Sequence, residues 1–307
     1  MNVRKTMLTA VAVMGAIALA GCGPAPVDLA FRPNPGDVWS VTLTKDLTQS
    51  ISMMGQSEAF SEYEEYRYTV TVEEADAGGA VVLSVNTDNV TQRGAMFDMM
   101  TAGAGLELDG VMAAVNGAQT STPVTMFVDS TGRIQRLEGA DAMLDAAMAQ
   151  ANVDRAFAQM LRPMLEAQIG EEAQRSRLQT ILPQLHDGPV REGTPWHVTD
   201  VSEGEFPLQM DSTATLTRIA GNTAYVEADV VLSVADGGAD MFELSEDTGG
   251  KQTLTAEVDL DTGWLMNLNA RMDLSGELSL PMFADIGADF SMPFTQSGSI
   301  TVSAYKQ

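Results

Sequence analysis

Strict alternation of apolar and polar residues, sustained along much of the chain and broken once by helical spacing, limits the folds open to this sequence. Trp39, Val41 and Leu43 alternate with Ser40, Thr42 and Thr44, the period-2 pattern of a strand with one buried face. Tyr66, Tyr68, Val70 and Val72 form a second such run. Ala77-Gly78-Gly79 then supplies a turn, and Val81, Leu83 and Val85 return, which predicts a hairpin. Val124, Met126 and Val128 lead through Asp129-Ser130-Thr131-Gly132 into Ile134 and Leu137. Near the other end, Leu254 to Leu260, Met266 to Leu274 and Ile300 to Ala304 alternate in the same way. Such patterning predicts antiparallel sheet with one face in water.

From Gly139 the period changes to 3.6. Met143, Leu144, Ala147, Met148 and Ala151, then Phe157, Met160, Leu161, Met164, Leu165 and Ile169, fall at helical spacing. Pro163 is expected to kink that helix or to start a new one. Leu178, Ile181, Leu182 and Leu185 predict one more short helix, closed by Pro183 and Gly188-Pro189. Residues 94–121 give no clear period. Met96, Phe97, Met99 and Met100 there suggest a short helix or an apolar loop.

The two strand regions read as copies. Gly36-Asp37-Val38-Trp39 opens the first and Gly193-Thr194-Pro195-Trp196 the second. The hairpin from Tyr68 to Val85 matches Ala214 to Val234, and Val124 to Leu137 matches Ala256 to Leu268. A period above 100 residues is not a solenoid. The expected fold is α+β and β-rich: a duplicated unit of mostly antiparallel strands, in a curved or half-barrel sheet, around a central helical insert. The boundaries are residues 37–138 for the first β-unit, 139–186 for the insert and 187–307 for the second.

Ahead of these units stands an N-terminal address. Arg4 and Lys5 precede an apolar run from Met7 to Ala20, the layout of a secretory signal and too short for a membrane-spanning helix. It ends in Leu19-Ala20-Gly21-Cys22, and Cys22 is the only cysteine. That order resembles the lipobox of bacterial lipoproteins. The resemblance implies a signal peptide over residues 1–21 and lipidation of Cys22, hence a partner in the membrane itself through the lipid anchor. Gly23 in place of Asp favours the outer membrane, facing the periplasm, by the sorting rule of that family. Residues 22–36, with Pro24, Pro26, Pro33 and Pro35, read as a stiff tether. The rest of the chain resembles uncharacterised bacterial lipoproteins built from duplicated Gly-x-x-Trp β-units. As fold analogy, it resembles the half-barrel of lipoprotein-localisation carriers.

Charge narrows the partners. Losing Arg4 and Lys5 takes the formal charge from −25 to about −27, which repels nucleic acid and anionic head groups. Strong acidity can signal disorder, yet 45% of residues are hydrophobic and they fall in regular patterns.

No catalytic motif stands out. Asp261-Thr262-Gly263 and Asp129-Ser130-Thr131-Gly132 resemble the active-site loops of aspartic proteases, but Trp264 replaces the small residue that follows there. Both read as turns opened by Asp and closed by Gly. His186 and His197 are too few for a triad or a zinc site. The acidic cluster Asp236, Asp240, Glu243, Glu246 and Asp247 matches no calcium loop. Met96, Met99 and Met100 read as gap-filling apolar side chains before copper ligands. The chain is therefore expected to be non-enzymatic and without a cofactor or metal, a binding or scaffold module for a protein or envelope component. The alternative is a carrier or sensor of a hydrophobic ligand, such as a lipid or lipoprotein acyl chain. Met143, Met148, Phe157, Met160 and Met164 would then line its site. A cavity under the helices separates the two.

Overall fold

The alternating runs pair side by side into one sheet of twelve strands. In the computed structural model the described residues are 25–53, 56–76, 78–94, 109–151, 155–202, 208–235, 243–279 and 291–307. The first unit supplies β1 (Val38–Met53), β2 (Gln56–Ala75), β3 (Val81–Gly94), β4 (Val124–Val128) and β5 (Ile134–Glu138). The second supplies β6 (Pro195–Ser202), β7 (Leu208–Ala220), β8 (Thr223–Val234), β9 (Glu243–Leu244), β10 (Gly249–Asp259), β11 (Leu265–Ser279) and β12 (Ser291–Lys306). The helices are α1 (Asp109–Ser121), α2 (Ala140–Ala151), α3 (Arg155–Ile169) and α4 (Glu171–Gln179).

Across the sheet the order is β5-β4-β3-β2-β1-β12-β11-β10-β8-β7-β6, with the short β9 paired to β11. Every pairing is antiparallel. The two units therefore repeat the same meander, β1 to β5 and β6 to β11, and β12 joins them. The repeat has become a single continuous sheet.

The helical insert connects the two outermost strands, β5 and β6, so it must cross one face of the sheet. That crossing is anchored at both edges. Gln179 donates to the Gly132 carbonyl (2.8 Å) and accepts from the Ile134 N–H (2.9 Å). Arg175 donates to the Ile134 carbonyl (3.1 Å). These side chains satisfy the start of the β5 edge, which would otherwise offer bare backbone to another chain. Arg133, in the turn before β5, donates to the Thr199 carbonyl of β6 at 3.2 Å. The two edges thus come within one side chain of each other, as a strongly curved sheet requires.

Two glycines on the inner face allow that curvature. A Cβ on Gly250 would sit 2.8 Å from Leu274 Cα, and one on Gly298 would sit 2.8 Å from Leu47 Cα. Both distances are below any real contact, so each strand can approach its neighbour this closely only without a side chain.

One end of the curved sheet is closed by aromatic packing. Trp39 stacks on Trp264 with centroids 4.7 Å apart, and Phe31 lies 5.4 Å from Trp264. The expected tether over 22–36 is corrected here. Val27 bridges Val190, Leu29 and Phe31 are fully buried, and the Phe31 and Arg32 N–H groups donate to Ser130 and Thr262. Apolar residues at alternate positions, not the prolines, decide this segment's fate.

Three helix expectations change as well. Residues 109–121 form α1 despite Gly110 and Gly117, because Val111, Val115 and Ala118 bury a common stripe. The α3 helix runs through Pro163 rather than starting there. Helix α4 ends at Gln179, and Ile181, Leu182 and Leu185 are buried along an irregular connector.

A candidate ligand cavity

The same inward-facing alternation has different neighbours along each strand. On β1, Trp39, Val41 and Leu43 are buried in the main core, whereas Lys45, Leu47 and Gln49 further along the same face line a cavity of about 2590 Å³. The register carries that face across the sheet. From Lys45 the paired residues are Ile300, Ala270, Leu254, Ala228, Ala214 and Trp196. From Leu47 they are Gly298, Met272, Gln252, Val230, Ser212 and Val198. Helix α3 and helix α4, through Met164, Ala167, Ala173 and Ser176, form the facing wall. The volume exceeds the roughly 300–1,000 Å³ of drug-sized pockets.

The wall is not uniformly apolar. Toward β2 and β3 the row through Lys45 continues as Glu64 and Gln92. Gln92 donates to Glu64 (3.1 Å) and to the Tyr66 hydroxyl (2.7 Å), and Tyr66 donates to Glu64 (3.3 Å). The Arg177 guanidinium lies 4.3 Å over the Tyr66 ring and donates to the Gln168 carbonyl, a desolvated cation–π contact. Lys45 Nζ stands 3.8 Å from Glu64, within ion-pair range but too long for a hydrogen bond. Burial holds the Lys45 ammonium below the usual lysine range, with Glu64 opposing and Arg177 adding to the shift. Burial also pushes the Tyr66 and Tyr68 phenols up.

Of the residues singled out from sequence, Met164 lines the cavity. Met143 does not: it is fully buried and accepts a hydrogen bond on sulfur from Gln174 at 3.2 Å. Met148 packs half-buried against the core cluster. The side chains of Phe157 and Met160, like Cys22 and the rest of 1–24, lie outside the described residues, as do Met96, Met99, Met100, Asp236 and Asp240. Among the described residues no helix is long and apolar enough to cross a membrane, and no group of three or more His, Cys, Asp or Glu could hold a metal ion.

The two Asp turns behave as turns. Asp129 accepts from Thr131 N and Oγ1 and from Arg133 N. Burial alone would raise its carboxyl, but these bonds hold it below the usual range. Asp261 accepts from Asn222 at 3.1 Å, and in that turn Asp259 takes the bonds from Thr262. His197 is exposed and bonded to Thr213, while His186 packs edge-on to Trp196.

The cavity side chains that sequence reasoning missed are Lys45, Gln92, Leu254, Met272 and Ile300. Four of them had parity as their signal, since each belongs to the inward set of a strand already identified, whereas Gln92 is brought inward by the β-bulge between Thr87 and Asn89.

No curated protein matches the chain in sequence. Three solved structures are similar to the chain at 8–9% identity. A lipovitellin structure, titled for its lipid–protein interactions, gives a TM-score of 0.47 over 89% of this chain and 26% of its own. The chain thus spans about a quarter of that protein's length. An outer membrane channel from Pseudomonas putida F1 gives 0.23 over 90% and 97%. A DUF1329 family protein from Desulfovibrio piger gives 0.14 over 86% and 83%. Residues 81–265, more than half of the chain and spanning β3 to the start of β11, match a family of unknown function (DUF6263), and the chain belongs to that family.

Proposed function

We propose that this chain is an envelope protein, anchored through Cys22, that binds a hydrophobic ligand without transforming it. The ligand's apolar part lies on the inner face of β6 to β12. The observation that carries this reading is the cavity. Leu47, Leu254, Met272 and Ile300 sit at inward positions of a finished sheet and remain only partly buried. Apolar side chains kept accessible inside a fold cost stability unless something covers them. The scaffold reading drops to second, because a packed scaffold has no use for this volume.

Native mass spectrometry on the chain from residue 22, carrying Cys22→Ser, tests the proposal, with lipid extraction of the same sample. A stoichiometric bound lipid or other apolar molecule supports it. A bare mass, together with no uptake of added medium-chain amphiphiles, overturns it.

A further inference from the structure

We infer that the ligand is an amphiphile with a negatively charged head, and that Lys45 is the residue that selects it. The inference rests on the carrier reading and adds the chemistry of the head group. Four basic side chains line the cavity: Lys45, Arg93, Arg133 and Arg175. Arg133 and Arg175 are held by backbone carbonyls of Thr199 and Ile134, and Arg93 is exposed. Lys45 differs from all three. Its side chain keeps 26% of its surface, opens onto the cavity, and has no hydrogen-bond acceptor within reach among the described residues.

The groups around it do not relieve this. Glu64 accepts from Gln92 and Tyr66 on Oε1 and holds Oε2 3.8 Å from Lys45 Nζ, and Arg177 is pinned between the Tyr66 ring and the Gln168 carbonyl. An ammonium has three donors and no acceptor capacity, and one ion-pair contact with Glu64 leaves donors for a ligand at the place where the apolar wall begins. Beyond Lys45, the sheet runs six inter-strand steps to Trp196 on β6, an arc of about 29 Å at the usual strand spacing. A carboxylate or phosphate head on Lys45 therefore leaves a long apolar surface for one extended chain, in line with the row from Ile300 to Trp196. Such a charge-assisted bond is shorter and stronger than a neutral one. Glu62, Glu64 and Arg177 carry the remaining charges near Lys45 and are part of the protein in both states.

The test is equilibrium binding of dodecanoate, dodecyl phosphate and dodecanol to the Cys22→Ser chain and to its Lys45→Met and Lys45→Arg variants, with circular dichroism to confirm folding. The expected result is that at least one anion binds about tenfold or more tightly than the alcohol. Lys45→Met should abolish that preference and leave dodecanol affinity within about twofold, while Lys45→Arg keeps it. Whichever anion binds more tightly identifies the head as carboxylate or phosphate. Dodecanol binding as well as both anions, or a preference that survives Lys45→Met, overturns the assignment but leaves the carrier reading standing. If none of the three binds, both fall.

Discussion

The two copies of the Gly-x-x-Trp unit have had opposite fates within one sheet. In the first, the helices land on the inner face, and Tyr66, Tyr68, Leu83 and Met126 are buried in one core cluster with Leu161, Leu165 and Leu178. In the second, Trp196, Ala214, Val226 and Ala228 join that core, while Leu254, Met272 and Ile300, with Leu47 of β1, look across a cavity at α3 and α4 among the described residues. Trp39 and Trp196, equivalent by motif, show the contrast. Trp39 stacks flat on Trp264, whereas Trp196 meets His186 edge-on and borders the cavity. The second copy keeps a smaller cluster of its own, of Val230, Leu232, Leu274, Leu278, Met292 and Phe294. The insert converts one copy into a foundation and leaves the other as a wall.

The comparison can be broken most decisively at the foundation. Trp264→Ala should cost about 3–5 kcal/mol, read from the midpoint of urea unfolding, because Trp264 is fully buried between Trp39 and Phe31. A loss below 1 kcal/mol would mean the aromatic end is not what closes the sheet. Lys45→Met should do the reverse and stabilise the ligand-free protein by about 1–2 kcal/mol, since a partly buried charge held only by a 3.8 Å ion pair with Glu64 is replaced by an apolar side chain of similar length. Its pH dependence has a definite sign. The folded-state pKa of Lys45 lies below its unfolded value, so the penalty is full below the folded pKa and fades as pH rises toward 10.5. The advantage of Lys45→Met should therefore shrink as unfolding is repeated at increasing alkalinity.

On the wall, large-to-small changes should matter little. Ile300→Ala and Leu254→Ala are expected to lose about 1 kcal/mol or less, well under the 2–5 usual for core positions, because their side chains are already partly accessible. Equal losses on wall and foundation would show that the cavity collapses in solution. Leu254→Trp, placed in the middle of the wall at a partly buried position, should leave the melting temperature within a few degrees and abolish uptake of dodecanoate. The smallest effect belongs to the solvent-exposed side of the helices. Arg162→Ala breaks an exposed pair with Asp145 and should change stability by about 0.5 kcal/mol or less.

Much of the sheet was legible because period-2 alternation is a local signal, visible within ten residues. The helical insert was legible for the same reason. Three features were not. The α1 helix is hidden by Gly110 and Gly117, whose weak helix propensity is overridden by tertiary burial of Val115 and Ala118. The segment from Val27 to Pro33 reads as a tether from its prolines, yet Leu29 and Phe31 at alternate positions bury it. The pairing of β12 with β1 joins Trp39 to Lys306, and nothing in either stretch names the other. The site had a partial signal. Lys45 follows Trp39, Val41 and Leu43 in parity, and a charge at an inward position is the kind of local inconsistency that marks function. The methionines drew attention instead, and Met143 shows why that misled: an adaptable side chain fills core gaps as readily as it lines a pocket.

The position of β12 between β11 and β1 also governs the order of assembly. Synthesis delivers β1 early, and it can pair with β2 at once, but its other edge stays bare until the sixteen residues of β12 arrive. Until then β11 carries a second open edge. The nascent chain consequently holds two sticky half-sheets for most of its emergence, and a ribosome that stops short of Ser291 releases a species built to aggregate rather than a smaller version of the fold.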